Sequence, residues 1–283
     1  MTVDQLLRWG TLRLGDPREG LPQPRREARW LLARALAVAE TWLLAHRGEV
    51  VAAPQEATFR DWIERRRVGE PAHYLTGTCP FWGREFLVSP AVLIPRPETE
   101  LLITAALAVP RPPTPRVLDV GTGTGCLAVT LAAQWPAAYV FAVDLSLAAL
   151  AVAQANARRH GATVFLAAGD LAEAIVGPFD LVIANLPYVP DADIPRLAPE
   201  VSRFEPTLAL AGGADGTHLL LRLLGDLPRL LAPSGHALLE IGPGQVSLLE
   251  PYWLAGGLQR AAVIADPAGT PRVLHLRPNP GGR

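Results

Sequence analysis

Over residues 3–67, apolar side chains recur every three or four positions, and Gly and Pro breaks divide the pattern into runs at 3–14, 24–37, 41–46 and 54–67. This spacing predicts a small helical bundle. In the second run Ala28, Leu31, Leu32, Ala35 and Leu36 share one face, while Arg25, Arg26, Arg29 and Arg34 fall elsewhere, the pattern of a core stripe with a solvated arginine face. Between 74 and 93 the pattern changes. Phe81-Trp82-Gly83-Arg84-Glu85-Phe86-Leu87-Val88 reads as two short strands around a glycine turn. A helix over 97–108 follows, and then Pro110, Pro112, Pro113 and Pro115 form a stiff connection.

From Arg116 onward, short apolar runs at 117–120, 139–143, 163–166 and 181–184 alternate with helical stretches, and further runs lie at 236–241, 261–264 and 272–276. The expected fold is α/β: a Rossmann-like, mostly parallel seven-stranded sheet with a helical bundle ahead of it. The final run should be antiparallel, because only a short turn at 266–270 separates it from its predecessor. The expected divisions are a helical domain at 1–72, a hairpin linker at 73–96 and a sheet domain at 97–283.

With 283 residues and 49% hydrophobic content the chain can bury a large core. Its apolar runs are broken by polar residues well short of the roughly 20 needed to span a bilayer. The N-terminus carries no long apolar signal core, so the reading is of a cytoplasmic protein without a membrane partner; a monomer is expected. Net charge is −1, which leaves no global basic field for nucleic acid, and no direct nucleic-acid partner is expected. All 26 basic residues are arginines. The two cysteines, Cys79 and Cys126, and the histidines at 46, 73, 160, 218, 236 and 275 show no metal-ligand spacing, so neither a disulfide nor a metal site is expected and the histidines read as structural.

The segment Asp119-Val120-Gly121-Thr122-Gly123-Thr124-Gly125 sits where the first core strand turns into a helix, the place where an open parallel sheet binds its ligand. The spacing is GxGxG with an acidic residue two places ahead, not the GxGxxG of a dinucleotide site. Asp119 would repel a pyrophosphate at the helix N-terminus, whereas a cofactor with a cationic amino-acid end and no phosphate tolerates a carboxylate. The pattern favours S-adenosylmethionine over a nicotinamide dinucleotide, with a glycine-rich structural turn as the plain alternative. Asp144 ends the next strand, where a carboxylate can accept hydrogen bonds from both ribose hydroxyls; alone it would read as a helix cap. Asp170 follows the third strand and can bond an adenine amino group while Leu171 packs on the ring, although a plain cap suits it nearly as well.

The fourth core strand ends in Asn185-Leu186-Pro187-Tyr188, at the same carboxyl edge. A planar nitrogen has a delocalised lone pair, so an enzyme that methylates it must hold its N–H groups and aim the nitrogen at the methyl. The Asn185 side-chain oxygen and the Leu186 carbonyl can act as acceptors, and Tyr188 can stack on the planar group. No strong base is required, because nitrogen attack on a sulfonium methyl leaves an acidic N–H that can pass to water or a backbone oxygen. A simple turn after a strand is the competing reading. Glu240 reads as a polar strand terminus, and no nucleophile-base-orienter set is present.

These residues, together with Tyr74-Leu75-Thr76-Gly77, the 81–86 hairpin and Val92-Leu93-Ile94-Pro95-Arg96-Pro97-Glu98-Thr99-Glu100, resemble the peptide-chain release factor glutamine methyltransferases. The resemblance runs from about residue 71 to the end, through Glu205-Pro206, Ala209, Gly212-Gly213, Asp215-Gly216, Leu239-Glu240-Ile241-Gly242 and Gln245. It implies methylation of the glutamine side-chain amide in the Gly-Gly-Gln motif of bacterial class I release factors. It further implies a cofactor site at 121–125, Asp144, Leu171 and Asn185, with the glutamine held by 185–188. Leu186 stands where the family usually has proline, and Leu171 where an aromatic is common. Leu186 can still serve through its carbonyl, since a residue before Pro187 is already pushed to extended geometry.

Three rivals remain. An adenine-N6 DNA methyltransferase shares the Asn-x-Pro-Tyr geometry but needs a basic groove that a chain of net charge −1 does not advertise. A glutamine methyltransferase acting on a ribosomal protein is separated poorly by sequence. A non-catalytic binding module would have to retain the whole loop set without using it, and a cofactor-binding measurement distinguishes it.

Overall fold

The computed structural model describes residues 1–15 and 23–281, and the chain forms two compact units. Residues 1–78 with 198–204 make the helical unit, and 79–197 with 205–283 make the sheet unit. The break expected between the first two helices lies mostly outside the described residues.

The helical unit comprises α1 (Val3–Leu14), α2 (Pro24–Leu36), α3 (Glu40–Ala45), α4 (Ala53–Arg67), α5 (Ala72–Thr76) and, from much later in the chain, α9 (Pro199–Ser202). Thr2 starts α1 with a capping box: its side chain accepts from the Gln5 N–H while the Gln5 side chain accepts from the Thr2 N–H. Ala28, Leu31 and Leu32 of α2 are fully buried with Leu6, Phe59 and Ile63, so the predicted stripe does face the core. Arg66, in the last turn of α4, is itself buried and pairs with Glu27 at 2.6 Å and Glu200 at 2.7 Å.

The sheet unit begins with the hairpin of β1 (Thr78–Phe81) and β2 (Arg84–Leu87), then α6 (Glu100–Ala108), β3 (Arg116–Val120), α7 (Cys126–Gln134), β4 (Tyr139–Asp144), α8 (Leu147–Arg159), β5 (Phe165–Ala168) and β6 (Phe179–Ala184). It ends with α10 (His218–Leu230), β7 (Leu231–Glu240), α11 (Gln245–Ala255), β8 (Leu258–Ala265) and β9 (Pro271–Pro278). The strand order is β5-β4-β3-β6-β7-β9-β8. The first five strands are parallel, and β9 runs antiparallel to both of its neighbours, as the short turn before it predicts. Successive strand residues feed opposite layers. Leu118, Val182 and Leu239 pack with α10 and α11, whereas Val117, Leu181 and Leu238 pack with α6 and α7.

The hairpin is not a free linker. Phe81 and Phe86 are buried in the same layer as Leu102, Ile103 and Leu127, which draws the division to 78/79. The third core strand starts at Phe165 and not at 163, and β7 starts at Leu231, ahead of the 236 that periodicity indicates. His236 and His275 face each other across β7 and β9 at 2.9 Å, and burial together with this partner pushes His275 down to about 4.

Candidate active site

A cavity of about 260 Å3 lies at the carboxyl ends of the parallel strands of the sheet unit. Gly121, Thr122, Gly123, Thr124, Asp144, Asp170, Leu171, Asn185, Leu186 and Pro187 all line it. Thus four separate strand ends deliver the predicted residues to one place, the position expected of an open α/β sheet. Val92, Pro95, Thr99, Pro206 and Arg222 complete parts of the wall.

Asp119, Gly125 and Tyr188 stand behind this lining. Asp119 is fully buried, and its Oδ2 accepts from the Thr122 hydroxyl at 2.6 Å and the Ala128 N–H at 3.2 Å. Burial raises its pKa to about 7, against these bonds. Its Oδ1 has no partner among the described residues. Its position therefore makes it the brace of the glycine loop. Gly125 opens α7 with φ of +78°, and a Cβ there would stand 3.1 Å from Ala153, so its lack of a side chain permits close packing on α8. Gly121, at φ +74°, would put a Cβ 2.8 Å from the Leu186 side chain. The glycine loop and the Asn185 turn therefore touch directly.

Asp144 braces the same loop from the other side: Gly123 N–H donates to one carboxylate oxygen at 2.8 Å and Ser146 N–H to the other at 2.8 Å. Each oxygen keeps a lone pair for a ligand in the cavity. Ser146, not Asp144, caps α8, its hydroxyl accepting from Ala149 N–H. Asp170 is likewise no cap. Its carboxylate takes a 2.8 Å bond from Arg222 on α10, which also reaches Glu173 at 2.7 Å. Leu171 adopts the left-handed region at φ +49°, unusual for leucine and costing on the order of 1 kcal/mol, while lining the cavity.

Asn185 donates its Nδ2 hydrogen to the Thr99 hydroxyl oxygen at 3.0 Å. That bond engages the nitrogen end of the amide and leaves Oδ1 free to accept. Tyr188 is held from behind: its ring packs on the α10 and α11 layer, and its hydroxyl lies 3.5 Å from Glu240. Burial and the Glu240 charge push the Tyr188 phenol up to about 12, so it stays neutral near neutrality. Gln245, almost fully buried, explains the Gly-rich segments of the sequence. Its amide accepts from Gly242 N–H at 2.8 Å and donates to Gly216 O at 2.9 Å and, less closely, to Tyr188 O. A side chain at Gly212 would collide with Tyr188 and Gly216 backbone at 2.8 Å.

Thr99 and Arg222 line the cavity while Gln245 and Glu240 lie behind it, and periodicity reveals none of the four. Glu240 is the polar terminus of β7, as expected, and it is 2% exposed. Arg96 and Glu205 pair at 2.6 Å, and Glu205 also accepts from Ile94 N–H, which ties the 92–100 segment down. Among the described residues, no group of three His, Cys, Asp or Glu is placed to hold a metal ion. Cys79 and Cys126 are buried free thiols pushed up to about 11 and about 12.

The family model for the PrmC N-terminal domain matches residues 5–77, and that for a methyltransferase domain matches 117–204. A methyltransferase from Pyrococcus furiosus shares the fold, with a TM-score of 0.53 at 17% identity over 69% of this chain and 89% of that one. The release factor glutamine methyltransferase of Geobacter sulfurreducens is 38% identical, over 96% of this chain and 95% of its own length. The corresponding proteins of Bordetella pertussis, at 43% over 92% and 96%, and Deinococcus radiodurans, at 41% over 98% and 99%, are as similar. Identity at this level over nearly the whole chain settles the family: this protein is a member of the release factor glutamine methyltransferases.

Proposed function

We infer that the chain transfers the methyl group of S-adenosylmethionine to the side-chain amide nitrogen of the glutamine in the Gly-Gly-Gln motif of class I release factors. The observation that carries this reading is the juxtaposition of the Asn185 turn with the glycine loop, Gly121 against Leu186, around one cavity. The cavity suits the cofactor. Its charged lining is Asp144, Asp170 and an Arg222 already neutralised by Asp170 and Glu173, which disfavours a phosphate-bearing ligand and suits a cationic one. Gly121, Thr122, Gly123 and Thr124 would hold the amino-acid end, Asp144 the ribose, and Leu171 the adenine face. When bound, S-adenosylmethionine supplies an electrophilic methyl.

This chain's own residues do the positioning. Asn185 Oδ1 and the Leu186 carbonyl accept the two amide N–H groups of the glutamine, and Tyr188, a neutral phenol behind the lining, backs the turn that presents them. With the nitrogen fixed and its hydrogens engaged, attack needs no strong base. The helical unit, which carries none of the cavity residues, is assigned to selecting the release factor. This activity belongs to translation termination in the cytoplasm; no helix among the described residues is long and apolar enough to cross a membrane. Mass spectrometry of a release factor incubated with the chain and S-adenosylmethionine should find one added methyl on the Gly-Gly-Gln glutamine. An unmodified glutamine, or a methyl elsewhere, overturns the reading.

A further inference from the structure

Two polar groups sit side by side behind Asn185, each lacking what the other has. Thr99 is 2% exposed; its hydroxyl oxygen accepts from Asn185 Nδ2, which leaves its own proton to donate. Glu240 is also 2% exposed, and its Oε2 is buried without a donor. The Thr99 hydroxyl is a hydrogen-bonding neighbour of this carboxylate and favours its ionised form. A buried hydroxyl proton and a buried carboxylate oxygen left unpaired are both costly, and pairing them relieves both.

We propose that Thr99 and Glu240 are positioning residues for methyl transfer, a relay that fixes which end of the Asn185 amide faces the reacting glutamine. An asparagine amide is nearly symmetrical in shape, so packing alone does not choose between its oxygen and its nitrogen. The relay chooses by proton direction. Ionised Glu240 can only accept, so Thr99 must donate to it; the Thr99 oxygen is then free only to accept, and Asn185 must present its NH2 inward. The Asn185 oxygen is thereby turned to the cavity, where the glutamine N–H needs an acceptor. Protonated Glu240 can donate to Thr99, which then donates to Asn185 Oδ1 and turns the amide's NH2 toward the substrate, donor against donor.

The inference rests on the methyl-transfer reading and extends it to the 92–100 segment and the end of β7. The groups that face Glu240 are Thr99 and Glu98 from the turn before α6, Arg272 of β9 and Tyr188 after β6. Burial is the largest influence and holds Glu240 at about 7, although Thr99, Arg272 and Tyr188 pull the other way. The relay thus changes state near neutral pH, with the productive arrangement on the alkaline side.

The test uses the full chain, a release factor and S-adenosylmethionine. Thr99→Val, which keeps the shape and removes the hydroxyl, should lower the single-turnover rate at least roughly tenfold while cofactor affinity stays within about twofold, and Thr99→Ser should restore most of the rate. The wild-type rate should fall as pH drops through about 7, and Glu240→Gln should lose that dependence. Independently of turnover, the Asn185 side-chain NH2 resonances should titrate over the same range in the wild type and stay fixed in Glu240→Gln. Near-normal turnover in Thr99→Val, failure of Thr99→Ser to recover, or Asn185 resonances indifferent to Glu240 overturns the relay. A wild type that leaves release factors unmethylated sinks the activity reading instead, and the resonance titration still decides the relay.

Discussion

Asp144 carries more than one duty. Its two oxygens each hold a backbone N–H, of Gly123 and Ser146, before any ligand arrives. Asp144→Ala should therefore weaken S-adenosylmethionine binding by about 1.5–3 kcal/mol, the loss of charge-assisted acceptors, while the sheet unit stays folded. Calorimetry giving wild-type affinity in a folded variant removes Asp144 from the site. Asn185 and Leu186 separate side chain from backbone. Asn185→Ala should reduce single-turnover methylation about a hundredfold or more, with cofactor affinity reduced at most partly, because one amide N–H of the glutamine loses its acceptor. Leu186 is 3% exposed and packs in the α10 and α11 layer, so its side chain has a structural role beside the carbonyl it offers. Leu186→Pro keeps the carbonyl and part of the apolar volume, and should leave turnover near normal at a stability cost of about 1 kcal/mol. An inactive but folded Leu186→Pro would show that the pocket uses the leucine side chain itself.

Elements meet at the site through a few buried amides. Asn156 of α8 is fully buried and accepts from Leu87 N–H at 2.6 Å while donating to Leu87 O at 3.0 Å and Thr124 O at 2.9 Å. One side chain thus ties the hairpin to the glycine loop. Asn156→Ala leaves an N–H and two carbonyls unpaired and should destabilise the fold by about 3 kcal/mol, with weaker cofactor binding following from the freed Thr124. Urea unfolding within about 0.5 kcal/mol of wild type would refute this. Such ties explain what could be read beforehand. The glycine loop, Asp144 and the Asn185 turn are legible because each ends an apolar run of strand length, and strand ends in a parallel sheet converge. The roles of Asn156, Gln245, Thr99 and Glu240 are not, since their partners lie up to 141 residues away, as between Thr99 and Glu240, and only the folded register brings them together. The helices α10 and α11 contain Pro228 and Pro251, which mask a helical pattern that burial of Leu220, Leu223, Leu227, Leu249 and Trp253 makes plain.

At the scale of the whole molecule the chain forms two units that its sequence does not keep apart. It leaves the sheet unit after Leu197, gives residues 198–204 to the helical unit and returns at Glu205. Within the helical unit the buried Arg66 guanidinium holds Glu27 and Glu200, one from the N-terminal helices and one from that returning segment, and these carboxylates raise its pKa against the burial that lowers it. Arg66→Met removes the charge and keeps an apolar stem. Two carboxylates then lose their partner, but both retain some contact with water, so the cost should be on the order of 2 kcal/mol, below that of breaking a fully buried pair. The loss falls on the helical unit, which contains Trp9, Trp30, Trp42 and Trp62, while Trp82, Trp135 and Trp253 report on the sheet unit. Thermal unfolding followed by tryptophan fluorescence should show an earlier transition from the first group. If the helical unit selects the release factor, methylation of intact factor should fall in Arg66→Met at temperatures within that early transition, with S-adenosylmethionine affinity within about twofold of wild type, since the cavity and all its lining residues belong to the other unit. Methylation that survives melting of the helical unit would move substrate selection to the sheet unit, and a parallel loss of cofactor affinity would mean that the two units do not function separately.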